Sequence, residues 1–410
     1  MTKVLWYLSP YDGFTPWVAD SRPPGSVESI GALAEHLDGL PFYGALQGTY
    51  SQDSFLTIAS IAGRTKRLRF LVPFYPLLTA PKLLAEQVLT FDQFTGGRLL
   101  LNLVNGIEPK VASYGLPIPR DERYRLSAEY WRLFTEAYEG RDLDYSGTYL
   151  DRSTFERAFE NGFEPLPYRP FRPATAEPIP PIQTPHVPLW GTGASDAGRD
   201  FSGRIVEVYL AHLRESTALA AQFRSAEERA EAHGRSFRGE GVHGSVIVRR
   251  NSADALEYFY SQVEATGVEH TRDRLEAGLR AVSQGRTGLS DFTAPDAVRQ
   301  TIVDRILSGR LPEPSELALE PGVYAGLTPW GAFDINAEGR AVYFVGTPDE
   351  VAASVERIQA VAPLVDTLIL SAWPLVQEAS TVAELLLPRL ADSPITPTQN
   401  TRTQRKVLTP

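Results

Sequence analysis

The string Gly191-Thr192-Gly193-Ala194-Ser195 sets two glycines and a hydroxyl between an apolar run at 187–191 and the start of a helical stretch. Glycines without a Cβ let an anion approach the backbone, and the unpaired amides and dipole of a helix start favour negative charge. The chemistry expected is phosphate binding, although Ser195 would serve equally as a plain helix cap. His212 and His243 fall on strand-like runs, where a neutral imidazole could move a proton near pH 7. His36, His186, His233 and His270 lie in helical or loop stretches and read as solvated. The chain has no cysteine, which excludes disulfides, thiolate metal sites and thiol nucleophiles. There is also no His-Glu-x-x-His, no clustered histidine pair and no Gly-x-Ser-x-Gly elbow, so neither a metal centre nor a serine hydrolase is expected.

The elements that must carry these residues alternate regularly. Short β-branched or aromatic runs at 3–8, 43–46, 67–72, 98–104, 187–191, 205–210, 242–248 and 365–370 are separated by amphipathic stretches at 27–36, 54–62, 81–94, 128–138, 217–233 and 349–361. Eight β-then-α units predict an α/β fold, a (β/α)8 TIM barrel with insertions. In such a barrel the working residues sit at the carboxyl ends of the strands. That rule selects 9–13, 47–53, 73–78, 105–109, 192–195, 211–215 and 371–375. Two stretches break the rhythm. Residues 150–188 are rich in proline and aromatics and read as a surface insertion. Residues 270–340 begin as helix and continue as a loop long enough to be a lid. The chain is expected to be one barrel domain over 1–390 with a polar tail over 391–410.

Bulk properties agree with a large globular protein, either one big barrel with insertions or two ordinary domains. The 410 residues are 43% hydrophobic, enough to bury a sizeable core, and the formal net charge is −10. An acidic surface without a basic stripe disfavours nucleic acid. No apolar run reaches the roughly 18 residues of a membrane span, and the start lacks the core and cleavage site of a signal peptide. A cytoplasmic protein is expected.

Taken in order, LWYLSPYDG, SQDSFLTIAS, RLRFLVPFYPLLTAP, TGGRLLLNLVNG, ERYRLSAEYWRLF, PLWGTGAS, FVGTPDEVAASVERI and VDTLILSAWP resemble the bacterial-luciferase-like flavin-dependent monooxygenases, and within them the alkanesulfonate monooxygenase branch. The resemblance implies reduced FMN supplied by a separate flavin reductase, reaction with dioxygen at the flavin 4a carbon, and oxygenation of a small-molecule substrate. It implies a homodimer or homotetramer as well. By the same resemblance Gly193, Ala194 and Ser195 form the flavin-phosphate loop, with Ala194 where many relatives have a hydroxyl. Arg123 and Tyr124 surround the phosphate or ribityl chain, and their guanidinium and phenol suit that anion. Asn105-Gly106 stands where relatives have a threonine-glycine pair by the ring edge.

The departures shape the expected substrate. Tyr11 replaces the branch's histidine and is grouped with His212 and His243 as catalytic. Ser51 replaces a cysteine, the branch's Arg-x-His becomes His243-Gly244-Ser245, and Trp373 replaces a tyrosine. With Arg214 and Arg340 as candidate anion contacts, Ser51, Ser245 and Trp373 are expected to line a pocket more aromatic and less cationic than the branch's, so the substrate is not a simple alkanesulfonate. Two alternatives share the barrel: a deazaflavin-dependent oxidoreductase, and a flavin-binding relative without catalysis.

Overall fold

A computed structural model describes residues 2–19, 25–50, 52–106, 113–115, 118–150, 180–283 and 285–392. Most of the proline-rich insertion, the polar tail from 393 on and Ser51 therefore lie outside the described residues. Seven parallel strands follow one another: β1 (Lys3–Leu8), β2 (Gly44–Gln47), β3 (Arg69–Phe74), β4 (Leu99–Leu103), β5 (Leu189–Thr192), β6 (Val208–His212) and β7 (Gly239–Val248). Within 318–346 come β8 (Ala318–Glu320), β9 (Val323–Ala325), β10 (Leu327–Thr328), β11 (Gly331–Ala332) and β12 (Val342–Gly346), and β13 (Val365–Ser371) is last. The ring runs β13-β1-β2-β3-β4-β5-β6-β7 and closes through parallel pairing of β7 with β13. These eight strands fall on the eight runs expected from the sequence.

The side-chain alternation of a strand divides the core in two. Leu5, Tyr7, Leu46, Leu71, Leu100, Trp190, Val208, Leu210 and Ile369 pack together inside the ring. The intervening residues, Trp6, Phe70, Leu101 and Tyr209 among them, face outward and pack with the surrounding helices. Helix starts follow ordinary capping chemistry. Asp53 accepts from the Leu56 amide, and Thr347 with Glu350 forms a reciprocal capping box. At the amino-terminal face Arg98 donates to the carbonyls of Ala62, Leu68 and Thr95, which is a purely structural use of a buried guanidinium.

The sequence pattern missed one feature of the ring. β13 pairs with β7 only as far as Ser371 opposite Ser245, and from Ser245 to Val248 β7 pairs instead with β12. β8 and β9 then extend the sheet antiparallel from β12. The stretch 270–340 begins in helix as expected, with Val268–Val282 and then Ala297–Leu307, and its later part is not a plain loop, because it carries β8, β9 and the β10–β11 hairpin. Arg299, 2% exposed, fastens it to the rim after β6 through Glu215 at 2.7 Å, and holds it together internally through Asp296 at 2.7 Å and Asp334 at 3.3 Å.

Candidate functional site

The carboxyl-terminal rim gathers the candidate residues from several strands. β5 ends at Thr192, and helix Asp196–Ile205 begins four residues later with Ser195 as its cap, the Ser195 Oγ accepting from the Gly198 amide at 3.2 Å. The turn is tight because Gly193 lies against the helix: a Cβ there would sit 2.5 Å from the Gly198 backbone. A Cβ on Gly198 would come within 3.1 Å of the Tyr124 hydroxyl, so that phenol lies directly over the first helical turn. Tyr209 closes the turn from below, its hydroxyl donating to the Gly193 carbonyl at 2.7 Å. Arg199, one turn into the helix, bends back to the Ala194 carbonyl. Neither Tyr209 nor Arg199 is marked by any sequence pattern, since each reaches the loop only through the fold.

Beside this loop, helix Arg120–Tyr138 and the end of β4 bring Arg123 and Asn105 into one small pocket lined also by Tyr75, Leu77, Tyr114 and Leu126. Arg123 is 6% exposed and Asn105 9%. Nε and Nη1 of the arginine and both amide atoms of the asparagine have no hydrogen-bond partner. Leaving such groups unpaired in a dry site costs about 1–3 kcal/mol each, so they call for a polar ligand. Gly106 turns the chain at a φ of 70°, and Leu77, also bounding the pocket, holds a φ of 72°. A leucine in that region is strained, which fits a segment shaped for binding.

On the opposite side of the mouth, His212 at the end of β6 and His243 in β7 face each other across the β6–β7 pair, ring centroids 5.2 Å apart. Burial, with Arg340 and Arg214 nearby, pushes the His212 imidazole down to about 4. Burial and His212 push His243 to about 3. Both rings are therefore neutral near pH 7, and His243 Nε2 has no partner. Around them stands an aromatic wall. Tyr7 stacks on His243 at 5.9 Å, and Trp330, at the tip of the β10–β11 hairpin, lies 5.0 Å from Tyr7 and 5.5 Å from His243. Tyr50 donates to the Tyr7 hydroxyl at 3.2 Å. Burial holds the Tyr7 phenol well above its ordinary range, so it stays protonated. Tyr7 and Trp330 escaped the sequence reading, and Tyr50 fell within the selected stretch 47–53 without being singled out; Tyr7 could have been found from the alternation in β1, whose odd positions point inward.

The remaining candidates are spread around this centre. Tyr11 meets Tyr50 edge-on at 5.3 Å. Trp373 is fully buried, 5.8 Å from Trp330, with its indole Nε1 unpartnered. Ser245, 1% exposed, shares a 3.0 Å hydrogen bond with Ser371 at the level where β7 changes neighbours. Arg214 is engaged with the Ala337 carbonyl at 3.0 Å and with Gln222, so it ties the loop before β12 to the end of β6. Arg340 pairs with Glu338 at 2.9 Å and is half exposed. Among the described residues no cluster of three potential metal ligands occurs, and no helix is long and apolar enough to cross a membrane.

Residues 11–364 match the profile of the luciferase-like monooxygenases. Similar solved structures include a long-chain alkane monooxygenase (LadA), 18% identical with a TM-score of 0.65, covering 95% of this chain and 91% of that one. A riboflavin lyase (RcaE), solved with modified FMN and riboflavin, gives the same four values. A coenzyme F420 dependent tetrahydromethanopterin reductase from Methanopyrus kandleri is 14% identical with a TM-score of 0.59, covering 95% and 99%. At these identities the structures establish the shared barrel alone.

Proposed function

Because the chain belongs to the luciferase-like monooxygenase family, we propose that it is a two-component flavin-dependent monooxygenase. It takes reduced FMN from a separate flavin reductase and, with dioxygen, oxygenates a small organic substrate other than a simple alkanesulfonate. The observation that carries the reading is the pair of buried, unpartnered polar side chains, Asn105 and Arg123, next to a serine-capped glycine turn. These residues fit a flavin mononucleotide. The free amides of the turn with Gly193, Ala194 and Ser195 would receive the phosphate, Tyr124 and Arg123 would flank it, and Asn105 with Gly106 would meet the polar ring edge. When bound, the reduced flavin supplies the electrons that activate dioxygen.

The chain's own contribution is positioning, dryness and proton control. Neutral His243, with its free Nε2, can relay a proton at the mouth, and burial keeps that ring uncharged at rest. Tyr7, Trp330 and Trp373 exclude water from the reacting space, which favours productive oxygen transfer over loss to solvent. Tyr11 joins the histidines as a catalytic candidate. Ser51, Ser245, Arg340 and Trp373 are candidates for substrate contact, and Arg214 acts through the loop it holds. The proposal includes a homodimer or homotetramer in the cytoplasm.

A deazaflavin-dependent oxidoreductase is the second reading, favoured by the barrel likeness to the coenzyme F420 dependent reductase. One experiment separates the readings. Anaerobically reduced FMN and protein are mixed with oxygenated buffer and followed by stopped-flow absorbance. A protein-dependent transient band distinct from oxidised flavin is expected. If reduced FMN fails to bind, the monooxygenase reading falls and the deazaflavin one takes its place; binding without any transient points to a relative that has lost catalysis.

A further inference from the structure

Outside the mouth, helix Val268–Val282 and the segment from β10 to β12 enclose a cleft of about 250 Å³, bounded by Arg274, Leu275, Leu279, Trp330, Ile335 and Arg340. Arg274 is its unusual member. The guanidinium is largely buried, enough to lower it to about 10. It donates to the carbonyls of Thr328 and Gly331 at the base of the Trp330 hairpin, the latter at 3.1 Å. Nη1 has only a long 3.5 Å contact to the Trp17 carbonyl, and Nε has no partner. Among the described residues no carboxylate pairs with it. Asp334 borders the same cleft, but its oxygens are spent on the Gly339 and Arg340 amides and on Arg299.

A buried cation without a counter-charge is costly, and an anion placed beside it recovers that cost. Arg340 supplies a second cation whose exposed pairing with Glu338 is weak enough to exchange. The other walls are mostly apolar, leucine, isoleucine, valine, alanine and indole, with Asn336 and the already engaged Asp334 as the polar members. The combination therefore selects a molecule with one oxyanion and an apolar body. Trp330 is the partition: it borders the cleft and lies 5.5 Å from the ring of His243.

We infer that this cleft is the recognition subsite for the acid group of the substrate, a small carboxylic acid with an apolar body, whose far end reaches past Trp330 into the mouth. The inference rests on the monooxygenase reading. It also explains how a barrel mouth that lacks the cations expected of an alkanesulfonate enzyme can still serve an anionic substrate: the charge is held outside the ring.

The test is titration of the flavin-free full chain with phenylbutyrate and with its neutral amide, followed by calorimetry. The acid is expected to bind about tenfold or more tighter than the amide. Gly278 borders the cleft in mid-helix, and a Cβ there meets nothing within 4 Å. Gly278→Phe should therefore fold, fill the cleft and weaken the acid by about tenfold or more, with FMN affinity unchanged. Arg274→Met should remove the difference between acid and amide. Equal affinity for acid and amide, no binding at millimolar acid, or undiminished binding to Gly278→Phe would each overturn the inference. FMN binding is measured separately, so loss of the flavin reading is not mistaken for loss of this one.

Discussion

At the scale of single residues, the site depends on polar groups kept unsatisfied and neutral. Arg123 and Asn105 hold donors and an acceptor in readiness. Arg123→Met should weaken FMN by about 1.5–3 kcal/mol, the range for a hydrogen bond to a charged group, with the fold intact by circular dichroism. The histidine pair makes a second test through pH. Both imidazoles are lower in the folded chain, at about 4 and about 3, than the ordinary value of about 6.5. The unfolded chain therefore binds protons that the folded chain does not, and their contribution is full above about pH 6.5 and is lost as the pH falls toward 4. His243→Gln is expected to flatten the fall in Tm between pH 7 and pH 4.5. A variant as acid-sensitive as the parent would mean that the ring is not held neutral by its surroundings.

At the scale of elements, the turn from β5 into its helix is where a small change has the largest local effect. Gly193→Ala puts a methyl 2.5 Å from the Gly198 backbone. Something must shift, and overpacking of this kind costs about 1–3 kcal/mol. The expected result is a lower Tm together with loss of FMN binding, read by quenching of flavin fluorescence. The elements were also where the sequence was most and least legible. The eight ring strands stood out because their β-branched or aromatic runs recur at regular spacing, most of them followed by a helical period. The loop residues Gly193–Ser195 stood out because glycine and a capping hydroxyl mark a strand-to-helix turn. β12 did not, because Val342–Gly346 runs directly into the Thr347 cap and reads as the lead-in to a helix. The aromatic wall was hidden for another reason: Tyr7, Tyr50 and Trp330 lie far apart in the chain, and only closure of the ring and the fold-back of the hairpin make them neighbours. Arg199 and Arg274 were illegible because an isolated arginine on a helix looks the same whether it meets solvent or a carbonyl.

At the scale of the whole molecule, the barrel carries one conspicuous burden. Glu240, on the outward face of β7, is fully buried, and both carboxylate oxygens lack partners. Burial, reinforced by Glu227 and Asp366, raises its carboxyl to about 9. The folded chain thus keeps a proton that the unfolded chain releases above about pH 4.5, and stability drains away as pH rises toward 9. Glu240→Gln removes the penalty. It should leave Tm nearly unchanged at pH 4 and raise stability by about 3–3.5 kcal/mol at pH 7, taking roughly 1.4 kcal/mol per pH unit above about pH 4.5, with a larger gain at pH 8. Chemical denaturation at the three pH values measures this directly. A variant no more stable than the parent at pH 8 would mean that the site is hydrated and the carboxyl already charged.

The handover of β7 from β13 to β12 at Ser245 ends the closed ladder at that level. Below it eight strands are laced into a ring; above it β12 leads the sheet outward to β9 and β8 and does not pair with β13. On that side, near Ser245 and Trp373, the rim is therefore held by side chains and by the β10–β11 hairpin rather than by a continuous ladder. The shape of the opening is thereby less tied to backbone pairing than the barrel's base is. Substitutions along β12 and its flanking hairpin can reshape what enters while the eight-strand foundation that stabilises the molecule is left alone.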